Sequence, residues 1–160
     1  MCAEKSGWGK KLAAGSGMGI AFSCAYGGHV AEAVELSVSK DKKITVHRVT
    51  VVADVGPVIN MSSAENQAQG AALDGLSTAM GLEVAIEKGR ITQANFDDYP
   101  LMKMKSAPQV DAYFIQSDFR PSGLGEPALP PLAPALGNAI FVATGERVRS
   151  MPFKRAGYSI

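Results

Sequence analysis

Cysteine is scarce in this 160-residue chain: there are two, Cys2 and Cys24, far apart and outside any CxxC or Cys/His cluster. That excludes a disulfide framework and a structural zinc, and leaves both side chains to be read as free thiols. Long apolar runs are missing as well, so no segment can span a membrane as a helix. The opening residues, Met1-Cys-Ala-Glu-Lys-Ser-Gly-Trp-Gly-Lys10, lack the apolar core of a signal peptide. They read instead like the end of a helix followed by a Gly-rich turn, as in a chain cut from something larger. There is no excess of either charge: 16 basic residues stand against 15 acidic ones, and no basic stripe alternates with aromatics. The electrostatic footprint of nucleic-acid binding is therefore absent. A strand-to-helix GxGxxG is also lacking. Gly15, Gly17 and Gly19 alternate, but a strand follows them, so a dinucleotide-binding reading fails.

What is present is a globular composition, 46% hydrophobic and 19% charged, of a size for one domain with a sizeable core. Residues 6–19 read as loop, and 20–25 as a short strand ending at the turn signal Tyr26-Gly27-Gly28. From His29 to Ser39 apolar residues alternate, with Val30, Val34, Leu36 and Val38 on one face. Residues 44–55 are β-branched and form a long strand after the polar turn 40–43, which completes an antiparallel meander. A helix starts at Ser62 or Ser63, runs to about Met80 and carries Gly70 and Gly75 inside it, as if pressed against another backbone. A hairpin is expected across 82–94, a strand over 110–116, and a second apolar helix from about Pro134 to Thr144, stopped by Gly145. The pattern predicts an α+β fold, an antiparallel or mixed sheet layered with two main helices. The chain is read as a single domain, with 1–17 as a loop remnant of an upstream segment and 146–160 as an exposed tail.

Chemistry concentrates at Ser122-Gly-Leu-Gly-Glu126-Pro127. Glu126 is the one charged residue between Arg120 and Glu146, and an apolar, Pro-rich surrounding is expected to desolvate it and make it a better proton acceptor. The glycines before it let backbone approach a ligand. On spacing alone, a loop glutamate capping the next helix or pairing with Arg120 is the plainer reading. Asp97 and Asp98 are adjacent and point to opposite faces of an extended backbone, so loop structure is preferred to paired catalysis. Asp54 is expected to bond the turn that follows it, and His29 and His47 are lone strand histidines without a second ligand at metal spacing. Met102 and Met104 read as ordinary core or loop residues. A glutamate-dependent hydrolase would need a second carboxylate, a nucleophile or a zinc site, and none is evident.

Gly-Leu-Gly-Glu-Pro at 123–127, followed by Pro-Pro-Leu-Ala-Pro-Ala-Leu-Gly-Asn-Ala-Ile-Phe-Val-Ala-Thr-Gly at 130–145, resembles the C-terminal signature of the xanthine dehydrogenase/aldehyde oxidase family. The likeness is strongest to the bacterial large subunit of isoquinoline 1-oxidoreductase-type enzymes. Gly19-Ile-Ala-Phe22, Val46-His-Arg-Val49, Asp54-Val-Gly56 with Asn60, Asn66-Gln-Ala-Gln-Gly70 and Asn95-Phe-Asp-Asp-Tyr-Pro100 fall in the family's order, from about Trp8 to Phe153. Leu124 stands where the family often has Val. Ser23-Cys24-Ala25-Tyr26 departs from its usual Glu- or Ser-containing block.

The resemblance implies a C-terminal piece of the molybdopterin-binding large subunit of a molybdenum hydroxylase, an oxidoreductase. In such enzymes pyranopterin sulfurs, not side chains, hold the metal, so no metal ligand is assigned here. Glu126 would be the general base, taking a proton from a metal-bound hydroxyl whose oxygen goes to a heteroaromatic ring carbon or an aldehyde. Gln67, from the family's Gln-x-x-Gly helix start, and Gly125 would lie against the cofactor, with Gln69 the weaker candidate. The pterin is expected in its cytosine dinucleotide form. The implied partners are the rest of the large subunit and a small subunit carrying iron–sulfur clusters. Alone, the piece is expected to be inactive. The competing reading is a non-catalytic interaction or accessory domain of the same ancestry. The compartment, bacterial cytoplasm or periplasmic side of the membrane, is left open.

Overall fold

A computed structural model describes residues 1–160. A short helix α1 (Cys2–Ser6) precedes three long strands, β1 (Ser16–Ala25), β2 (Gly28–Val38) and β3 (Ile44–Asp54). Helix α2 (Met61–Met80) follows, then a two-stranded hairpin, β4 (Ile86–Glu87) and β5 (Arg90–Ile91), strand β6 (Gln109–Phe114) and helix α3 (Leu132–Thr144). The main sheet has the order β1-β2-β3-β6: an antiparallel meander extended by β6, which lies parallel to β3. Parallel pairing requires a crossover, and α2 supplies it. Arg48 and Asp111 form an ion pair across the β3–β6 seam.

Both long helices lie on one face of the sheet. Their buried Ala68, Ala72, Leu76, Leu132, Leu136 and Ile140 close over Val30, Val34, Val49 and Val51 in a single core. The mixed sheet under two main helices is the α+β arrangement that the apolar pattern predicts. α2 is capped by the side chain of Asn60, which accepts from the Ser63 amide at 3.0 Å, rather than by Ser62 or Ser63. Asn60 is the residue with extended backbone just outside the helix, the geometry a cap requires. α3 starts two residues earlier than Pro134 and ends, as expected, at Gly145 in the left-handed conformation, φ 77°.

Of all the glycines, the two inside β1 have the least room, and it is α3 that takes it up. A Cβ on Gly19 would stand 2.0 Å from the carbonyl oxygen of Ala135, and one on Gly17 would stand 2.1 Å from that of Ala139. The alternating glycines are thus a seat for a helix backbone and not a phosphate loop. Gly75 of α2 plays the same part against the carbonyl of Leu129, at 2.9 Å, whereas Gly70 faces open space.

Both ends of the chain differ from expectation. Residues 1–17 are not simply loop: Cys2 and Ser6 bury one face of α1 against Ala33 and Val52 on the outer side of the sheet, and β1 already begins at Ser16. Burial pushes the Cys2 thiol up to about 11. Nor is 146–160 an exposed tail. Phe153 and Tyr158 are buried in the main core, and Ser159 runs beside Lys43, its carbonyl accepting from the Ile44 amide at 2.7 Å. Two apolar rings spaced along a polar segment are enough to draw it back onto the domain.

One core position breaks the apolar rule. Glu32, on the same face of β2 as Val30 and Val34, is 0% exposed, and neither carboxylate oxygen has a hydrogen-bond partner. Desolvation raises its pKa well above 4.5 and so favours the neutral acid in the fold.

Two predictions follow from this packing. Gly19→Ala drives a methyl into the α3 backbone and should cost about 3 kcal/mol or more in urea unfolding; a loss below about 1 kcal/mol would mean the helix can lift freely. For Glu32, the raised folded-state pKa means that stability is full below the unfolded value and is lost as pH rises toward the folded one. The loss over that window is about 1.4 kcal/mol per pH unit. Glu32→Gln has no such slope, so its stability curve should diverge from wild type as pH rises above 4.5; parallel curves would show that Glu32 is already ionised in the fold.

Candidate active site

The seat that glycines make for α3 also fixes the loop leading into it. Pro127 and Ala128, just before the helix, are buried, and the Leu129 amide donates to the Glu126 carbonyl at 2.9 Å. At the other end of the loop the Ser122 amide donates to the Val55 carbonyl at 3.0 Å. Residues 122–129 are therefore pinned at both ends, with Gly123, Leu124, Gly125 and Glu126 arching between. The floor of the arch is the β1–β2 turn: the Oγ of Ser122 lies 3.0 Å from where a Cβ on Gly28 would be. That hydroxyl is buried and has no hydrogen-bond partner.

Glu126 is exposed, contrary to the desolvation expected from its apolar neighbours in sequence. The apolar residues after it turn inward and leave the carboxylate on the rim. It is nevertheless held. Its Oε2 accepts a hydrogen bond of 2.8 Å from the phenol of Tyr26, and Oε1 has no protein partner. The same bond and the carboxylate charge raise the pKa of the Tyr26 phenol. Gly125 sits against α2: a Cβ there would meet only the amide nitrogen of Gln67, at 3.8 Å. Gln67 itself is exposed on the second turn of the helix. Three segments remote in sequence thus meet here: Gln67 beside Gly125, and Tyr26 bonded to the adjoining Glu126.

Tyr26 was not singled out by the sequence reading. Its signal was present, however, as a bulky residue in a two-residue hairpin turn. Tyr26 and Gly27 both have positive φ, 56° and 82°, as a type I′ turn demands. Glycine, asparagine and aspartate suit the first of these positions, and tyrosine does not.

The other candidates have structural duties. Gln69 donates to the Val110 carbonyl at 3.3 Å and ties α2 to β6. Asp98 accepts from the amides of Ala94 and Asn95, at 2.8 and 3.0 Å, which lowers its pKa, and Asp97 accepts from the Asp98 amide. They staple a loop. Asp54 accepts from the Gly56 amide and from the hydroxyl of Ser117. His29 stacks on Phe22 and leans on Phe119, while His47 shares a hydrogen bond with Ser37. No three His, Cys, Asp or Glu side chains converge as a metal-ligand set. The hollow lined by Met80, Leu101, Met102 and Tyr158, and that lined by Val84, Ile91, Phe96 and Tyr99, do not include Glu126, Gln67 or Gly125. The candidate site is one open wall and not a closed cavity.

Comparison with known proteins gives this wall its context. The family described as "Molybdopterin cofactor-binding domain" matches residues 4–108, a span that holds Gln67 but stops short of Glu126. The isoquinoline 1-oxidoreductase subunit beta of Brevundimonas diminuta is 34% identical over 158 residues, 96% of this chain and 20% of that protein. A protein of Gluconacetobacter polyoxogenes named membrane-bound aldehyde dehydrogenase [pyrroloquinoline-quinone] is 34% identical over 96% of the chain and 21% of its own length. Among solved structures, the aldehyde oxidoreductase from Desulfovibrio gigas superposes on 82% of the chain and 14% of its own, with a TM-score of 0.68 and 25% identity. The quinoline 2-oxidoreductase from Pseudomonas putida 86, at 18% identity and a TM-score of 0.70, shares the fold. The chain belongs to the molybdopterin cofactor-binding domain family of xanthine dehydrogenase/aldehyde oxidase-type oxidoreductases. It spans about a fifth of the length of the first two relatives.

The turn geometry yields a test of its own. Tyr26→Asn places a residue suited to φ 56° in the hairpin and should raise unfolding stability by about 0.5–1 kcal/mol, measured by chemical denaturation. A variant less stable than wild type would show that the bond to Glu126 outweighs the backbone strain.

Proposed function

We propose that this chain is the part of a molybdenum hydroxylase large subunit that carries the general base, Glu126, for hydroxylating a heteroaromatic ring carbon or an aldehyde with oxygen derived from water. The observation that carries the proposal is the fixed but exposed carboxylate, 2.8 Å from the Tyr26 phenol, beside a glycine whose only side-chain neighbour is the Gln67 amide. A pyranopterin fits such residues. Gln67 offers an amide that both donates and accepts. Gly123 and Gly125 leave backbone uncovered by side chains, and Gly123 has nothing within 4 Å of where its Cβ would be. The orphan hydroxyl of Ser122 is a further polar group near the same loop.

In this reading Gln67 and the 123–125 backbone hold the cofactor's edge. When bound, the molybdenum centre supplies a water-derived oxygen and takes up the two electrons released by the substrate. Glu126 contributes proton acceptance at Oε1, the oxygen without a protein partner, while Oε2 is occupied by Tyr26. The rest of the large subunit would close the wall into a pocket and exclude water, which strengthens the carboxylate as a base. The chain by itself would then be inactive. The cytosine dinucleotide form of the pterin and an iron–sulfur small subunit as electron outlet belong to the same proposal. The pyrroloquinoline quinone in the name of the Gluconacetobacter relative points elsewhere; the molybdopterin family match over residues 4–108 favours the pterin.

The test is made on the full-length subunit complex, with substrate-dependent dye reduction and molybdenum content assayed on the same samples. Glu126→Gln should keep its molybdenum and lose at least about a hundredfold in kcat. Retained metal with undiminished turnover would sink the base assignment and favour a non-catalytic interaction domain of the same ancestry. Preparations active without molybdenum would sink the cofactor assignment.

A further inference from the structure

Tyr26 stands in the hairpin against its local conformational preference, and its ring is exposed at 70%, so neither the turn nor the core accounts for it. What distinguishes the side chain is where its hydroxyl goes: across 100 residues of sequence to Oε2 of Glu126. We propose that Tyr26 is a positioning residue that holds the Glu126 carboxylate in one orientation, with Oε1 presented to the reacting proton. The inference rests on the reading of Glu126 as the base and assigns the residue that aims it.

Three features of the structure support this role. First, Glu126 lies on the rim of the domain, where a glutamate side chain is free to rotate unless something fixes it; the phenol is its one hydrogen-bond partner in the chain. Second, the phenol is carried on a rigid support. The Tyr26-Gly27 turn closes two strands paired over ten positions without interruption, from Ser16↔Ser37 to Ala25↔Gly28. Third, the turn and the Glu126 loop are fitted together beneath that bond: Gly27 and Gly28 admit Ser122, with its Cβ 3.8 Å from a Cβ at Gly27 and its hydroxyl 3.0 Å from one at Gly28. A side chain at Gly28 would press on Ser122 and Val55 and force them to give by a few tenths of an ångström, whereas at Gly27 it would meet Ser122 only at ordinary contact distance. The strained backbone at Tyr26 fits a residue kept for its hydroxyl, since local rules are broken where function compensates.

The phenol does not itself exchange the proton in this scheme. Its O–H donates to one lone pair of Oε2, so protonation at Oε1 leaves the hydrogen bond intact and the carboxyl in place. Phenylalanine keeps the ring and the backbone strain and removes only that hydroxyl, which makes it the informative substitution.

Two measurements on the full-length complex decide the matter. In the first, fluorotyrosine is placed at position 26 and its ring titrated by fluorine NMR, with and without Glu126→Gln. The titration midpoint should fall when the carboxylate is removed; an unchanged midpoint would overturn the proposal by showing that the two groups are not bonded. In the second, Tyr26→Phe is assayed per molybdenum bound. Turnover should drop about ten- to hundredfold with KM within about twofold, and the substitution should have no further effect in the Glu126→Gln background. Wild-type turnover per molybdenum, or an activity loss matched by metal loss, would reduce Tyr26 to a structural tie and overturn the proposal while leaving Glu126 as base. If Glu126→Gln itself keeps full turnover, the base assignment fails, and the positioning role fails with it.

Discussion

Helix α3 lies with its backbone against the backbone of β1, a contact open only to residues without side chains. Gly17 and Gly19 provide it, with no room for so much as a methyl group before the carbonyls of Ala139 and Ala135. Much else follows from this seat. It sets the height at which α3 covers the sheet, and so the space left for Leu132, Leu136 and Ile140 above Val30 and Val34. It also sets where the chain must enter α3. Because Pro127 and Ala128 are drawn inward by the helix they precede, Glu126 is left at the last point where the loop still faces outward. The position of the carboxylate is thus a consequence of a glycine stripe a hundred residues away, through packing and not through any direct contact.

The loop around Glu126 belongs to two supports at once. Its start hangs from the end of β3 through Val55, and its crown rests between the β1–β2 turn and the second turn of α2. Both supports are rigid elements of the main sheet and its helix layer, which is the condition for holding a reactive group to a fraction of an ångström. The side-chain torsions of Glu126 are restrained by one hydrogen bond, from Tyr26. The open face of the wall has a matching explanation. Side chains that would close a pocket over Gln67, Gly125 and Glu126 are not supplied by either support, so the groups form an open surface.

How much of this could be read from residues alone depended on whether the signal was local. The meander, the long helix from the Ser62 region to Met80 and the stop at Gly145 are written in alternation, helical spacing and a C-terminal glycine. Glu126 stood out as the lone charge in an apolar stretch, but its role, like the choice of Gln67 and Gly125, came through the resemblance, because nothing in their spacing brings residue 67 beside residue 125. The failures were tertiary. Glu126 looked desolvated because its sequence neighbours are apolar, but those neighbours turn away from it. The segment 146–160 looked like a polar tail because four exposed cations outweighed Phe153 and Tyr158, although two buried rings decide where a segment goes. Gly17 and Gly19 were correctly separated from a phosphate loop, yet their use as a helix seat needed α3 in place.

Glu32 and Tyr26 show opposite ways for one residue to oppose its surroundings. Glu32 has the parity of Val30 and Val34 along β2, so alternation alone sends it into the core, where neither oxygen finds a partner. Burial favours its protonated form, and the cost of that preference grows with pH and is felt by the whole domain. Tyr26 opposes only its own backbone. That cost is local, confined to one turn, and it places a hydroxyl against the one carboxylate on the rim of the site. A global penalty such as that of Glu32 calls for an account in the folding of the complete protein. A local penalty with a polar contact at its tip calls for one in the site. The difference lies in what each side chain touches: Glu32 touches nothing that answers it, and Tyr26 touches Glu126.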